Sequence, residues 1–206
     1  EPQAIGVTIR NTDDCYYLSQ DFCLPEYREL IGLLRDRSPA PIILGGAGYS
    51  VMPKEILAYM GADFGVVGEG EETLPRLLTS LEVGGDFSDL ANLVYRDGDD
   101  IQQTRAVWMD LTHFPQQDRG LVDNRRYFRE GGMGGIETKR GCDRHCIYCA
   151  DPLAKGRRVR QRPPENVADE LEVLLSQGID YIHFCDSEFN IPYPHAIANT
   201  VYITNP

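Results

Sequence analysis

Short apolar runs alternate with stretches of helical period through the first 83 residues, which limits this part of the chain to a layered α/β sheet. Residues 4–10 (Ala-Ile-Gly-Val-Thr-Ile-Arg) read as a buried strand. Pro25 opens a helix to about Arg37, with Tyr27, Leu30, Ile31 and Leu34 on one face. Pro41-Ile42-Ile43-Leu44 is a second strand, stopped by Gly45-Gly46. Pro53 starts a helix carrying Ile56, Leu57, Tyr59 and Met60, which ends at Gly61. Asp63 to Val67 is a third strand, followed by Gly68-Glu69-Gly70, and a helix from about Glu71 to Leu81 stops before Gly84-Gly85. Such alternation implies a parallel sheet with helices on both faces. The glycine-rich turns fall at the C-terminal ends of strands, where open α/β sheets bind ligands. A doubly wound domain usually has about five or six strands. The chain starts Glu1-Pro2-Gln3 almost inside a strand, so the first part of the domain is expected to lie outside it.

Asn92 to Ala106 reads as a hairpin turning at Asp97-Gly98-Asp99-Asp100. Residues 107–130, with Trp108 and Pro115, lack clear periodicity and read as an ordered linker. Gly131 to Gly135 reads as flexible punctuation. Ile136-Glu137-Thr138-Lys139 is expected as a strand, Pro163-Pro164-Glu165 as the start of a helix to about Gln177, and Asp180 to Cys185 as the next strand. The tail from Ile197 to Pro206 has room for at most one more. The expected division is a domain over 1–90, a hairpin and linker over 91–130, and a second βαβ series over 131–206.

Cys142, Cys146 and Cys149 stand in the spacing CxxxCxxC, just after the first strand of that second series. Three thiolates this close can hold three irons of a 4Fe–4S cube and leave the fourth iron open. A cluster that serves only as a redox centre is normally closed by four cysteines. A Cys₃His zinc knot through His145 is the competing reading, although no second knuckle follows. A disulfide framework is excluded by three cysteines within eight residues in a chain that is not a small secreted scaffold.

Composition narrows the rest. A net charge of −12 argues against non-specific binding to nucleic acid or anionic membranes. No apolar run is long enough to span a bilayer. Six cysteines with a thiolate-ligand motif suggest a reducing cytoplasm. Lys155, Arg157, Arg158, Arg160 and Arg162 crowd one stretch, read as a solvated connection, with contact to a carboxylate of an acidic ligand as the competing reading.

The cysteine motif, with Tyr148 before its last cysteine, resembles the radical S-adenosylmethionine (SAM) family, whose open iron chelates the amino and carboxylate groups of SAM. Three further stretches extend the likeness: Arg10-Asn11-Thr12-Asp13-Asp14, Ile43-Leu44-Gly45-Gly46-Ala47-Gly48-Tyr49-Ser50, and Val66-Val67-Gly68-Glu69-Gly70-Glu71-Glu72-Thr73-Leu74. With the cysteines they resemble the cobalamin-binding radical SAM proteins over most of the chain. The resemblance implies an α/β fold in which a partial Rossmann-like cobalamin-binding sheet precedes the start of a partial (β/α)₆ barrel, the chain being a fragment of the whole. It implies a 4Fe–4S cluster, SAM and cobalamin as cofactors. The implied chemistry is SAM cleavage and methyl transfer from methylcobalamin to an unactivated carbon of a small molecule. The implied partner is an external electron donor of flavodoxin or ferredoxin type. A cobalamin-dependent cyclase or rearrangement enzyme, and a non-catalytic iron–sulfur or zinc module, are the alternatives.

The same likeness assigns the cluster to Cys142, Cys146 and Cys149, and SAM contact to Tyr148, Asp186, Ser187 and Glu188. It assigns cobalamin contact to Arg10, Asn11, Gly45, Gly46, Ala47, Gly48, Ser50, Gly68, Glu69, Gly70 and Glu71. Physically, glycines let the backbone approach a bulky corrinoid, Ser50 can donate to a polar tail atom, and amides at a helix N-terminus near Gly70 can do likewise. One departure stands out. The Asp-x-His-x-x-Gly pattern that supplies a lower cobalt ligand is absent, and no histidine precedes residue 113. Either that loop lies upstream of these residues, or cobalt has no histidine ligand, in which case Arg10 or Asn11 is expected to face the lower side of the corrin. Trp108 and Tyr127 are candidates to line a substrate route. Plainer roles exist for several residues: a strand-end ion pair for Arg10, helix-cap or loop carboxylates at 186–188, small apolar packing for Cys15, Cys23 and Cys185, and linker packing for Trp108 and Tyr127.

Overall fold

The computed structural model describes residues 2–114 and 116–204. The expectations placed on Glu1, Pro115 and the Asn205-Pro206 end of the tail lie outside the described residues. The chain divides into two compact units, one of residues 1–109 with Cys146–Lys155, the other of Asp110–His145 with residues 156–206.

In the first unit β1 (Ile5–Thr8), β2 (Ile42–Gly45) and β3 (Phe64–Val66) pair in parallel in that order. Between them run α1 (Leu24–Arg35) and α2 (Pro53–Met60), and after them α3 (Thr73–Val83). Prolines sit in the first turns of α1 and α2, where a missing N–H costs nothing. Gly61 and Gly84 end α2 and α3 in the left-handed conformation. Alternate strand residues enter two cores. Val7, Ile42 and Leu44 join Ile31, Ile56 and Leu57, whereas Ile43 and Val66 join Leu77 and Leu93. Each such side chain, fully buried, contributes about 1.5–3 kcal/mol.

The hairpin is not part of a connection. β4 (Leu93–Asp97) pairs antiparallel with β3, and β5 (Asp100–Gln103) with β4, giving a five-stranded mixed sheet. Arg96 fixes it by donating to Ala62 O (3.0 Å) and to Leu57 O at the end of α2 (3.3 Å).

In the second unit α4 (Asn124–Arg129) rises from the stretch expected to be linker. Its signal was the N-cap Asp123, whose carboxylate accepts Arg126 N–H at 2.9 Å. β6 (Gly134–Ile136) starts inside the glycine run, because a side chain at Gly134 would lie 2.8 Å from Ile182 Cδ1. The strand expected at 136–139 breaks: β7 (Lys139–Arg140) turns to pair antiparallel with β8 (Arg160–Gln161). Between these two, α5 (Asp151–Lys155) belongs to the first unit. Then α6 (Pro164–Ser176) leads to β9 (Ile182–Phe184), parallel to β6. One face of β6 and β9 buries Ile136, Ile182 and Phe184 against Val167 and Leu171 of α6.

The tail is helical, not a strand: α7 (Tyr193–Thr204) packs on α6. Its β-branched residues suggested an extended run. Pro194 in the first turn and the i,i+4 bond from Asn199 Nδ2 to His195 O (2.9 Å) favour the helix.

Candidate functional site

In the first unit the C-terminal ends of β1, β2 and β3 meet around glycine. Gly46 has φ +102, and a Cβ there would lie 2.5 Å from Ile9 O. A Cβ on Gly48 would lie 2.9 Å from the Asn11 backbone. The Gly45–Gly48 turn therefore rests directly on residues 9–11, which brings Arg10 and Asn11, both exposed, beside it.

Ser50 staples the turn to the next strand. Its hydroxyl donates to Gly46 O and accepts Gly68 N–H, both at 2.8 Å. The proton expected to serve a cofactor atom is thus given to Gly46. Glu69 is buried, and its Oε2 accepts Met109 N–H at 2.7 Å. Ala47 and Glu71 are exposed.

Next to these residues runs a slot of about 270 Å³ on the α3 face of the sheet. Gly6, Gly45, Gly46, Gly68 and Gly70 line it together with Leu74. A Cβ at Gly6 would meet nothing within 4 Å, and one at Gly45 only Val66 O at 3.9 Å, so both glycines leave open space. At the slot the N-cap Glu72 of α3 makes no side-chain cap; Leu74 N–H is bonded to Gly70 O at 2.9 Å and Pro75 has no N–H, so Thr73 supplies the first-turn N–H that a polar ligand could meet.

Beneath the turn, Tyr49 is fully buried, and its hydroxyl has no hydrogen-bond partner among the described residues. Burial pushes its phenol above the ordinary value. The ring lies against Gly65, where a Cβ would come 1.9 Å from the phenolic oxygen.

The cysteine loop divides between the units. Cys142 belongs to the second, half-buried, with its N–H donating to Gly156 O at 3.1 Å. Gly141 before it has φ +86, and a Cβ there would lie 2.2 Å from Arg158 O, so only glycine fits this base of the loop. Cys146 and Cys149 belong to the first unit, exposed, in the segment whose α5 packs on the 3₁₀ turn Tyr49–Val51. All three are free thiols, and three thiols in this spacing are a donor set that fits a cluster with an open iron. Among the described residues no three Cys, His, Asp or Glu side chains are gathered as metal ligands. His145 and Tyr148 are exposed.

In the second unit Asp186, with no side-chain exposure, holds the strand end that leads to Cys142. Its Oδ1 accepts Thr138 N–H (2.8 Å) and Lys139 N–H (3.2 Å). Its Oδ2 accepts the Thr138 hydroxyl (2.6 Å) and Lys139 Nζ (3.2 Å). Ser187 is half-buried and Glu188 exposed.

Two other expectations need correction. Arg162 is not solvated: it is 2% exposed, paired with Glu170 at 2.6 Å. Cys15 and Cys185 are exposed rather than packed as apolar residues. Cys15 sits at a tight turn with φ 55, and Cys185 follows the last residue of β9. Trp108, weighed from the sequence as substrate-route lining or linker packing, has its ring over Gly68. No helix among the described residues is long and apolar enough to cross a membrane.

The B12 binding domain model matches residues 1–78, and the Radical SAM superfamily model matches residues 136–200. The chain belongs to the cobalamin-binding radical SAM family. A tryptophan 2-C-methyltransferase from Streptomyces laurentii is 32% identical over 95% of this chain and 41% of its own length. The radical S-adenosylmethionine methyltransferase TsrM from Kitasatospora setae, solved with tryptophan substrate and a SAM analog bound, aligns with a TM-score of 0.84. It is 35% identical, over 95% of this chain and 39% of that one. An anaerobic magnesium-protoporphyrin IX monomethyl ester cyclase from Synechocystis sp. is 30% identical over 74% of this chain and 32% of its length. The chain therefore spans about two fifths of the length of the first two relatives. Its fold is the one they share, a Rossmann-like sheet followed by a radical SAM fold.

Proposed function

We propose that the chain is the cofactor-bearing part of a cobalamin-dependent radical SAM methyltransferase acting on a small molecule. The observation that carries this reading lies in the first unit. A glycine-lined slot opens at the strand ends, and the same unit holds the Cys146–Cys149 half of the thiolate loop.

When bound, the cluster would supply the electron that cleaves SAM, and cobalamin the methyl group. The chain's own residues bind and orient. Gly6, Gly45, Gly46, Gly68 and Gly70 admit part of the cofactor's tail, Thr73 N–H at the start of α3 meets a polar atom of it, and Arg10 and Asn11 face the corrin from the end of β1. Cys142, Cys146 and Cys149 hold the cluster. Asp186 positions the loop rather than SAM, because both its oxygens are already engaged, and SAM contact passes to Tyr148, Ser187 and Glu188.

Tryptophan is the substrate to test first, because the Streptomyces relative is named for it and TsrM was solved with it. A cyclase reading has the Synechocystis relative in its favour. Anaerobic turnover of the whole protein with labelled SAM and tryptophan separates them. Labelled methyl in the product, with S-adenosylhomocysteine formed, supports methyl transfer. Consumption of SAM with no methylated product across a panel of small molecules counts against it.

A further inference from the structure

Trp108 is the single tryptophan of these 206 residues. In the first unit it is built into a wall. Asn92, buried and held at φ 60, accepts Val107 N–H on Oδ1 at 2.6 Å. Its Nδ2 donates to Val107 O at 2.8 Å and to Glu69 O at 3.3 Å. The buried Glu69 carboxylate accepts Met109 N–H. Two buried polar side chains therefore fasten residues 107–109 onto the Gly68–Gly70 turn. The half-buried indole covers Gly68, whose φ is +70. A Cβ there would lie 2.6 Å from Trp108 Cζ3 and 2.9 Å from Cη2. Gly68 and Gly70 also line the slot, so the indole, with Ala154 O beside it, stands next to a slot-lining residue just past the end of β3.

We propose that Trp108 is a corrin-contacting residue, forming the rigid aromatic side of the cobalamin site. The proposal rests on the two-cofactor reading above. A slot of about 270 Å³ can take at most part of a nucleotide tail and is too small for a corrin macrocycle. The macrocycle must then lie outside the slot, over the strand ends where Trp108 stands. An aromatic ring suits that place, since it offers a large apolar face with few torsions to freeze. The Asn92 and Glu69 bonds hold its backbone before any ligand arrives. A plain spacer needs neither the clamp nor a glycine cleared for an indole.

The test uses the whole protein with two probes: hydroxocobalamin, and dicyanocobinamide, which has the macrocycle but no nucleotide tail. Loss of the ring in Trp108→Ala should weaken binding of both probes by about tenfold or more, as the loss of a contact of this size requires. Trp108→Phe should stay within about threefold of wild type, since a ring remains. The Trp108 emission, taken as wild type minus Trp108→Phe, should be quenched by either probe. Three results overturn the proposal alone: wild type binding cobalamin while Trp108→Ala matches it, a penalty seen with cobalamin and absent with cobinamide, or unquenched emission in the loaded protein. Wild type that retains neither probe overturns the two-cofactor reading and this proposal with it. Far-ultraviolet circular dichroism identifies an unfolded Trp108→Ala variant, and Trp108→Phe with the emission readout then decides.

Discussion

Removing the Glu170 carboxylate should unfold the second unit far more readily than its single charge suggests. Glu170 is 1% exposed on α6. Its Oε1 accepts Arg119 Nε at 2.8 Å and also Arg119 Nη2, and its Oε2 accepts Arg162 Nη2 at 2.6 Å. Each arginine also reaches the edge of β6 that β9 does not occupy. Arg119 Nη2 donates to Gly135 O at 2.7 Å, and Arg162 Nη1 to Glu137 O at 2.6 Å. Alternate residues of a strand point to opposite edges, and Gly134 N–H and Ile136 O are already bonded to the β9 side. The three side chains therefore cap an open strand edge. Glu170→Ala would leave guanidinium groups only 16% and 2% exposed without a counter-charge. Breaking a buried pair in this way costs about 3–5 kcal/mol. Urea unfolding, read as a midpoint shift at constant slope, measures it. Glu130→Gln is the control, because its partner Arg126 is 69% exposed and such pairs contribute at most about 0.5 kcal/mol. The sharper variant is Arg119→Met with Arg162→Met and Glu170→Leu. Ordinary buried ion pairs tolerate apolar replacement, whereas here the Gly135 and Glu137 carbonyls would lose their donors at about 1–3 kcal/mol each. A triple variant as stable as wild type would refute the edge-cap reasoning.

Further outcomes follow from the same geometry. Gly65→Ala should destabilise by about 1–3 kcal/mol, because the new methyl meets the Tyr49 phenol, while Tyr49→Phe should be neutral or stabilising; thermal unfolding of both variants checks the pair, and a stable Gly65→Ala contradicts it. Hydrogen bonds from the Ser88 N–H and hydroxyl hold the Asp86 carboxyl below its ordinary 3.8. The turn's contribution is thus present above that value and lost as pH falls through the lowered one; an NMR titration of the Ser88 amide with a midpoint at or above 3.8 would contradict this. Asp186→Asn should lower iron retained on reconstitution while leaving cobalamin retention unchanged, because it loosens Thr138 and Lys139 ahead of Cys142; unchanged iron would remove its positioning role.

The parts legible in the sequence were those where local chemistry and tertiary packing agree. Strands β1 to β3 and helices α1 to α3 carry apolar periodicity bounded by Pro25, Pro53, Gly61 and Gly84, and the structure ends them within a residue or two of those marks. α4 is too short for periodicity and is marked by one N-cap aspartate. α7 is rich in β-branched residues, so its helix is decided by packing on α6 rather than propensity. β7 and β8 are two residues each, and only their pairing with each other defines them. In the site, the glycines were legible because their backbone freedom is a property of the residue. Ser50, Asp186 and Arg162 were not, because what each side chain bonds depends on elements distant in sequence. The placement of Trp108 over Gly68 was not legible for the same reason.

The most direct test of the two-cofactor account is metal content. The protein is prepared without oxygen, reconstituted with iron, sulfide and hydroxocobalamin, desalted, and its elements counted. The account predicts about four iron atoms and about one cobalt per chain, with iron falling in Cys146→Ala and cobalt unaffected. Iron without cobalt would contradict the cobalamin half, and zinc retained alone would contradict the whole.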